Sequence, residues 1–343
     1  MRMSQGYFAC MKSLHAKSSC CEARVRRFGR RRRQCSGCRR TWTIRPRRRG
    51  RPRHRLAPEL LDKVFLESFS LRQLCARRAG VTLPAYRYRF RQALRRFLAR
   101  PSPQQIPPGP LILLADGLWF TFDQQPWVLY LTALKSCAGT HVVFLDPLLL
   151  PGREGATRWR QAVAAIPVSA RRRIQALVVD NLPGMQRIAR RHGWVLQLCH
   201  FHVLMKLQVR RRGVRYALRG GAVRKEIDAC IRDALVLPDG RRLQRILIRL
   251  HRLAAASCGT ARIQTTVRAF VKDLWAYRAY LTHRALHLPT TTNAVESMCR
   301  LVREMLRRNR AGSNPNALLQ WATALIRLRP YIACNGHRIN RND

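Results

Sequence analysis

Two apolar runs, Leu111–Ala115 and Ile174–Val179, each give way to an aspartate, Asp116 and Asp180. Short runs with almost no polar alternation have the pattern of strands buried on both faces, as in the sheet of an α/β protein. Side chains at the ends of such strands open onto crevices, where these folds place their chemistry. Further strands are predicted over Trp127–Leu134, His141–Leu145 and Trp194–Leu198, with helices over 156–166 and 183–192. Three consecutive strands can form a meander, and the two later ones, reached through helices, pair in parallel. From Cys199 to residue 330 almost all of the pattern is helical.

Ahead of this region, Pro101-Ser102-Pro103 and Pro107-Pro108-Gly109-Pro110 break every periodicity, so 101–110 reads as a linker. Residues 56–100 have helical spacing, with Leu60, Leu61, Val64, Phe65 and Phe69 on one face. A short helix ends at Gly80, Thr82 can cap the next, and Pro84 falls in its first turn. The second helix carries Tyr86, Arg87, Tyr88, Arg89 and Arg91. That is the form of a helix-turn-helix over 71–97, with an ordinary helical hairpin as the alternative. The expected organisation is a basic arm at 1–55, a helical domain at 56–100, an α/β domain at 111–330 and a basic tail at 331–343.

Charge narrows the partner. The 343 residues hold 67 Lys+Arg against 17 Asp+Glu, a net charge of +50. Part of the arginine excess reflects coding bias, but the imbalance argues against a free-standing enzyme for small neutral substrates and for a polyanion, nucleic acid first. No apolar stretch of about 18 residues is present, so no membrane-spanning helix is expected. The start, Met1-Arg2-Met3-Ser4-Gln5-Gly6, lacks a following apolar segment, so a cytoplasmic protein is expected. Its cysteines then read as thiols or metal ligands; Cys75, Cys137, Cys230, Cys258, Cys299 and Cys334 read as small hydrophobes.

In a chain so poor in acids each carboxylate is informative. Small residues, Ala115 and Gly117, flank Asp116 and let a ligand approach the backbone. Glu296 lies in Thr290-Thr291-Thr292-Asn293-Ala294-Val295-Glu296-Ser297, where Thr292 or Asn293 can cap a helix. Two aspartates and a glutamate converging from two strand ends and a helix would form an oxygen-only site for hard divalent cations. Asp123 reads as a hairpin-turn residue, and Asp146 as the replacement for Asp180 should that position fail.

These residues resemble the DDE transposases of bacterial insertion sequences, close to the Mutator-like group. The resemblance rests on Asp116, on Asp180, on Cys199-His200-Phe201-His202 as a Cys-x2-His element, and on Asn293-Ala294-Val295-Glu296 as an Asn-x2-Glu element. It covers about residues 110–330, with the helical stretch at about 205–288 matching the all-helical insertion of that group. It implies a ribonuclease H-like catalytic domain in which Asp116, Asp180 and Glu296 hold two Mg2+ or Mn2+ ions. Cys199, His202 and Asn293 would support the site; a buried thiol and a satisfied histidine are the alternative for the first two. The implied partner is double-stranded DNA, bound by a homo-oligomer associated with the nucleoid. Arg47, Arg48 and Arg49 of the arm would contact phosphates, and Arg87, Arg89 and Arg91 would read the major groove.

Cys35-Ser36-Gly37-Cys38, followed by Arg39-Arg40-Thr41-Trp42, resembles the second knuckle of a zinc ribbon found at the front of some of these transposases. Thiolates two residues apart can share one zinc. No matching first knuckle precedes them; Cys10, His15, Cys20 and Cys21 are the candidates. A zinc site and a metal-free basic arm both fit. Two other functional classes remain: a catalytically inactive, transposase-derived DNA-binding regulator, and a ribonuclease H-like nuclease. Retention of all three carboxylates speaks against the first. The amino-terminal modules speak against the second.

Overall fold

The computed structural model describes residues 25–28, 32–43, 59–78, 80–207, 209–211, 214–216, 221–256 and 261–333. The chain divides into two units, Met1–Arg55 and Leu56–Asp343. The first contains an antiparallel sheet of β1 (Val25–Arg27), β2 (Arg32–Cys35) and β3 (Thr41–Thr43), in that order. Gln34 is buried in it, its amide oxygen accepting from the Arg26 guanidinium and its nitrogen donating to the Arg39 carbonyl. Arg47, Arg48, Arg49, Cys10, His15, Cys20 and Cys21 lie outside the described residues.

The second unit opens with α1 (Glu59–Phe65), α2 (Leu71–Ala76) and α3 (Leu83–Leu98). Ser70 and Gln73 form a capping box at the start of α2. Gly80 adopts φ +73°, and Pro84 sits in the first turn of α3, so helix, turn and helix follow as the sequence predicts. Tyr86, Phe90 and Leu94 are the buried stripe of α3. Phe90 packs on Trp321 at 4.9 Å between ring centroids, and Phe65 on Trp321 at 5.3 Å. These helices therefore share one core with the sheet, rather than forming a domain of their own.

That sheet comprises β4 (Leu111–Phe122), β5 (Gln125–Ser136), β6 (His141–Phe144), β7 (Leu148–Pro151), β8 (Ile174–Val179) and β9 (Val195–Leu198). Between them lie α4 (Ala156–Ala164), α5 (Val168–Arg171) and α6 (Met185–His192). Then follow α7 (His200–Lys206) and the antiparallel ribbon β10 (Val209–Arg211) and β11 (Val214–Tyr216). Helices α8 (Gly221–Val236), α9 (Arg241–Ala256), α10 (Ala261–Lys272), α11 (Leu274–Tyr277) and α12 (Ala279–Thr282) precede α13 (Asn293–Asn309), α14 (Pro315–Leu328) and the strand β12 (Tyr331–Ala333). The sheet order is β12-β6-β5-β4-β8-β9, with β7 also on β5. It is mixed: β4, β5 and β6 pair antiparallel, whereas β8 pairs parallel to β4 and β9 parallel to β8.

Alternate residues of β4 feed different cores. Ile112, Leu114 and Leu118 face the core that holds α1–α3, α13 and α14, while Leu111, Leu113 and Ala115 face the core that holds α4, α6 and α8–α10. Burial on both faces is why the strand reads as a continuous apolar run.

Several expectations need correction. β4 does not stop at Asp116; it continues to Phe122 because β5 still pairs with it there, and only the pairing with β8 ends. Asp123 and Gln124, at φ 47° and 61°, make the hairpin turn. The region after Cys199 includes the β10–β11 ribbon, and residues 331–333 are an edge strand on β6 instead of the start of a tail. Asp146 is no substitute for Asp180: it forms an ion pair with Arg327, whose guanidinium also donates to the carbonyls of Leu98 and Arg100.

Candidate active site

The site assembles where β4 and β8 part. Their last registered pair is Leu114 with Val178, and Asp116 and Asp180 each stand two residues beyond it. The two aspartates therefore occupy equivalent levels on neighbouring parallel strands. Asp116 Oδ1 accepts from the Gly117 N–H at 2.8 Å, and Asp180 Oδ1 from the Asn181 N–H at 2.6 Å. Lys206 Nζ, on α7, lies 3.4 Å from Asp180 Oδ1.

Glu296 comes from the first turn of α13, a helix anchored on the sheet by Val295, Met298 and Val302. Thr292 is its N-cap residue, but its hydroxyl donates to Glu296 Oε1 at 2.7 Å and contacts Cys199 Sγ at 3.3 Å. Cys199 ends the loop after β9 and is buried; its Sγ is 3.9 Å from Glu296 Oε1. His202, one helical turn on, points Nδ1 at Glu296 Oε1 across 3.7 Å. That nitrogen is buried without a hydrogen-bond partner. Donor atoms of Cys199, His202 and Glu296 all lie within 4.8 Å of one another, so the group could hold a metal ion. Asn293, the first residue of α13, is half-buried beside this cluster.

Two residues that the sequence reading passed over belong here. Cys299, treated as a small hydrophobe, shares the Glu296 face of α13 three positions on, and its Sγ lies 3.8 Å from Asp116 Oδ2. Glu154, between β7 and α4, accepts from the indole N–H groups of Trp119 at 3.1 Å and Trp159 at 2.9 Å. A carboxylate between Gly152 and Gly155 in an acid-poor chain was the available signal.

Electrostatics couple these groups. Burial pushes the Asp116 carboxyl up to about 6, and the charges of Glu296 and Glu154 push the same way, against His202 and the Gly117 N–H. Burial also raises Glu154; its two indole bonds and His202 oppose this, and Asp180 reinforces it. For His202 burial acts downward, yet a hydrogen bond to Cys199 and the acidity of Cys199, Asp180 and Asp116 prevail and raise it to about 9. Buried carboxylates that repel one another are relieved by a cation, so the oxygen donors fit a hard divalent ion, while Cys199 and His202 offer softer ligands.

The other sequence candidates stand elsewhere. Arg87 and Arg91 are exposed and, four residues apart, share a face of α3; Arg89 lies on the other side and is half-buried. Cys35 is buried and Cys38 exposed in a tight turn, in which the Arg39 N–H donates to the Cys35 carbonyl and the Cys35 N–H donates to the Arg40 carbonyl. A scan against protein-family models finds no match for this chain, and a search of the curated proteins finds none. Among the described residues no helix is long and apolar enough to cross a membrane.

Proposed function

We propose that the chain is a DDE transposase of the Mutator-like group, which binds transposon-end DNA and cleaves and joins strands at Asp116, Asp180 and Glu296. The observation that carries this reading is the equivalent register of Asp116 and Asp180 on parallel strands, with α13 bringing Glu296 into the same charge cluster. The strand order supports a ribonuclease H-like catalytic fold: an antiparallel meander, β4-β5-β6, extended on its β4 side by the parallel strands β8 and β9. A net charge of +50 and the exposed Arg87 and Arg91 support a double-stranded DNA partner. In this reading the protein works as a homo-oligomer on DNA in the cytoplasm.

Asp116, Asp180 and Glu296 would hold two Mg2+ or Mn2+ ions, which when bound supply activation of the attacking oxygen and stabilisation of the leaving one in phosphoryl displacement. The Gly117 N–H fixes Asp116 through Oδ1, and Thr292 fixes Glu296 through Oε1. His202, cationic up to about pH 9, balances the carboxylates among which it sits. Incubation of the full chain with duplex DNA and Mg2+ or Mn2+ should yield nicks that expose 3′-hydroxyls. Asp116→Asn should abolish them without weakening DNA binding. Equal cleavage by both proteins would end this reading.

One contact favours the second reading, a silent DNA-binding derivative: Lys206 sets its ammonium against Asp180, where a cation ligand is required. Lys206→Ala separates the two. A derivative stays inactive after the change, whereas an enzyme is active before it.

A further inference from the structure

Residues from α2, α3 and the end of α13 line a cleft of about 360 Å3. Four of them are arginines, Arg72, Arg87, Arg308 and Arg310, and none is acidic. A side-chain clasp joins its walls: Asn309 Oδ1 accepts from the Leu71 N–H at 3.1 Å, and its amide donates to the Met305 carbonyl at 3.2 Å. Arg308 Nε is buried without a hydrogen-bond partner. Arg310 caps α13 in the left-handed region at φ +48°, a conformation that favours glycine. Arginines near a helix C-terminus complement its dipole. That accounts for Arg308 and Arg310; it does not account for Arg72 and Arg87 arriving from two other helices. Glu304 offsets Arg308 on its own helix, while Arg72, Arg87 and Arg310 are exposed and open to an anion that would draw their charges together.

We propose that this cleft is a phosphate site that grips the DNA backbone, with Arg87 contacting phosphate and not a base edge. The inference rests on the transposase reading, and it names which part of the substrate the α2–α3 pair holds. Guanidinium forks match a phosphodiester's two free oxygens. The cleft also gives the protein a ruler. Glu296 and Arg308 lie on one helix, 12 positions apart, which at 1.5 Å per residue is about 18 Å. A strand advancing about 3.4 Å per nucleotide covers that span in about five nucleotides. The gripped phosphate thus lies on the order of five nucleotides from the reacting one.

The test is fluorescence anisotropy of the full chain on a labelled duplex of 30 base pairs, titrated with KCl. It compares wild type with Arg87→Ala and with Arg310→Gly, the latter relieving the strained backbone while removing the charge. Each variant should lower the slope of log affinity against log salt by about one and weaken binding several-fold, equally on unrelated sequences. A wild type that binds with a normal salt slope, shared by both variants, overturns the cleft proposal and leaves the function standing. A loss with Arg87→Ala confined to one duplex sequence also overturns it, since that is base readout. A wild type that binds no duplex overturns both. Stabilisation of wild type, but not Arg310→Gly, by inorganic pyrophosphate would then mark a free-phosphate site instead.

Discussion

Glu154 lies directly against Gly117: a Cβ placed on Gly117 would fall 2.5 Å from Glu154 Oε1. Real Cβ atoms essentially never come that close, so any side chain at 117 would have to displace the Glu154 carboxylate. The two indoles of Trp119 and Trp159 hold Glu154 in place, so it cannot retreat without losing both bonds.

Gly117→Ala should therefore destabilise the protein by about 1–3 kcal/mol, the range for overpacking. Glu154→Ala removes the clash. In that background the added cost of Gly117→Ala should shrink to a few tenths of a kcal/mol. A double-mutant cycle in urea reads the coupling, and strictly additive costs would show that the two residues do not meet.

Asp116 should make metal-free stability fall as pH rises. Its carboxyl titrates at about 6 in the folded chain against 3.8 in its ordinary state, so between these values the folded state binds more protons than the unfolded one. Stability contributed by the protonated form is complete below about pH 4, is lost as pH rises through 6, and is flat beyond. The loss is at most roughly 3 kcal/mol. Asp116→Asn keeps an oxygen for the Gly117 N–H and sheds the charge. In EDTA it should melt higher than wild type at pH 7 and match it at pH 4. Parallel melting curves across that range would contradict the burial of this carboxyl.

The contrast between these two carboxylates shows what the amino-acid pattern carries. Asp116 and Asp180 announce themselves because each interrupts an apolar run, and strand register then forces them to one level. Glu154 interrupts nothing. It sits in an irregular segment and acquires its meaning from Gly117 and two tryptophans that only the folded sheet brings near. The reach of β4 past Asp116 was hidden for a similar reason. Leu118-Trp119-Phe120-Thr121-Phe122 is partly exposed, and its strand character comes from its pairing with β5. Likewise nothing in the spacing of residues 56–100 reveals that Phe65 and Phe90 close on Trp321, far along the chain, which ties those helices to the sheet.

Gln197 is the polar group on which the approach of the late helices to β9 depends. Fully buried, its amide donates to the carbonyls of Leu198 at 2.8 Å and Tyr277 at 2.9 Å, and its oxygen accepts from the Tyr280 N–H at 2.9 Å. Gln197→Leu fits the space but orphans buried backbone groups, each worth about 1–3 kcal/mol. The expected loss is about 2–4 kcal/mol in chemical denaturation, with Gln197→Glu at least as harmful because a buried charge replaces the donor. A loss below about 0.5 kcal/mol would mean that water satisfies these groups.

Under the proposed function Glu296 would serve two ligand sets, and this predicts antagonism between metals. In the proposed reading it completes, with Asp116 and Asp180, an oxygen site suited to Mg2+ or Mn2+; with Cys199 and His202 it forms a group that could hold a metal ion, and thiol and imidazole ligands suit Zn2+ or Co2+. Three such ligands with a fourth position open match the ligand number of a catalytic, not a structural, zinc site. The orphaned Nδ1 of His202 is already directed at Glu296. The chain should therefore take up Co2+ with the absorption of a thiolate complex. Cys199→Ala should remove that signal, and Cys35→Ser, in the separate amino-terminal unit, should leave it intact. If strand cleavage occurs, Zn2+ should inhibit it by drawing Glu296 away from the aspartates, and Cys199→Ala should lessen that inhibition by about tenfold or more, the usual cost of losing a metal-site partner. A cobalt spectrum that survives Cys199→Ala but vanishes with Cys35→Ser would move the soft-metal site to the turn at Cys35 and Cys38.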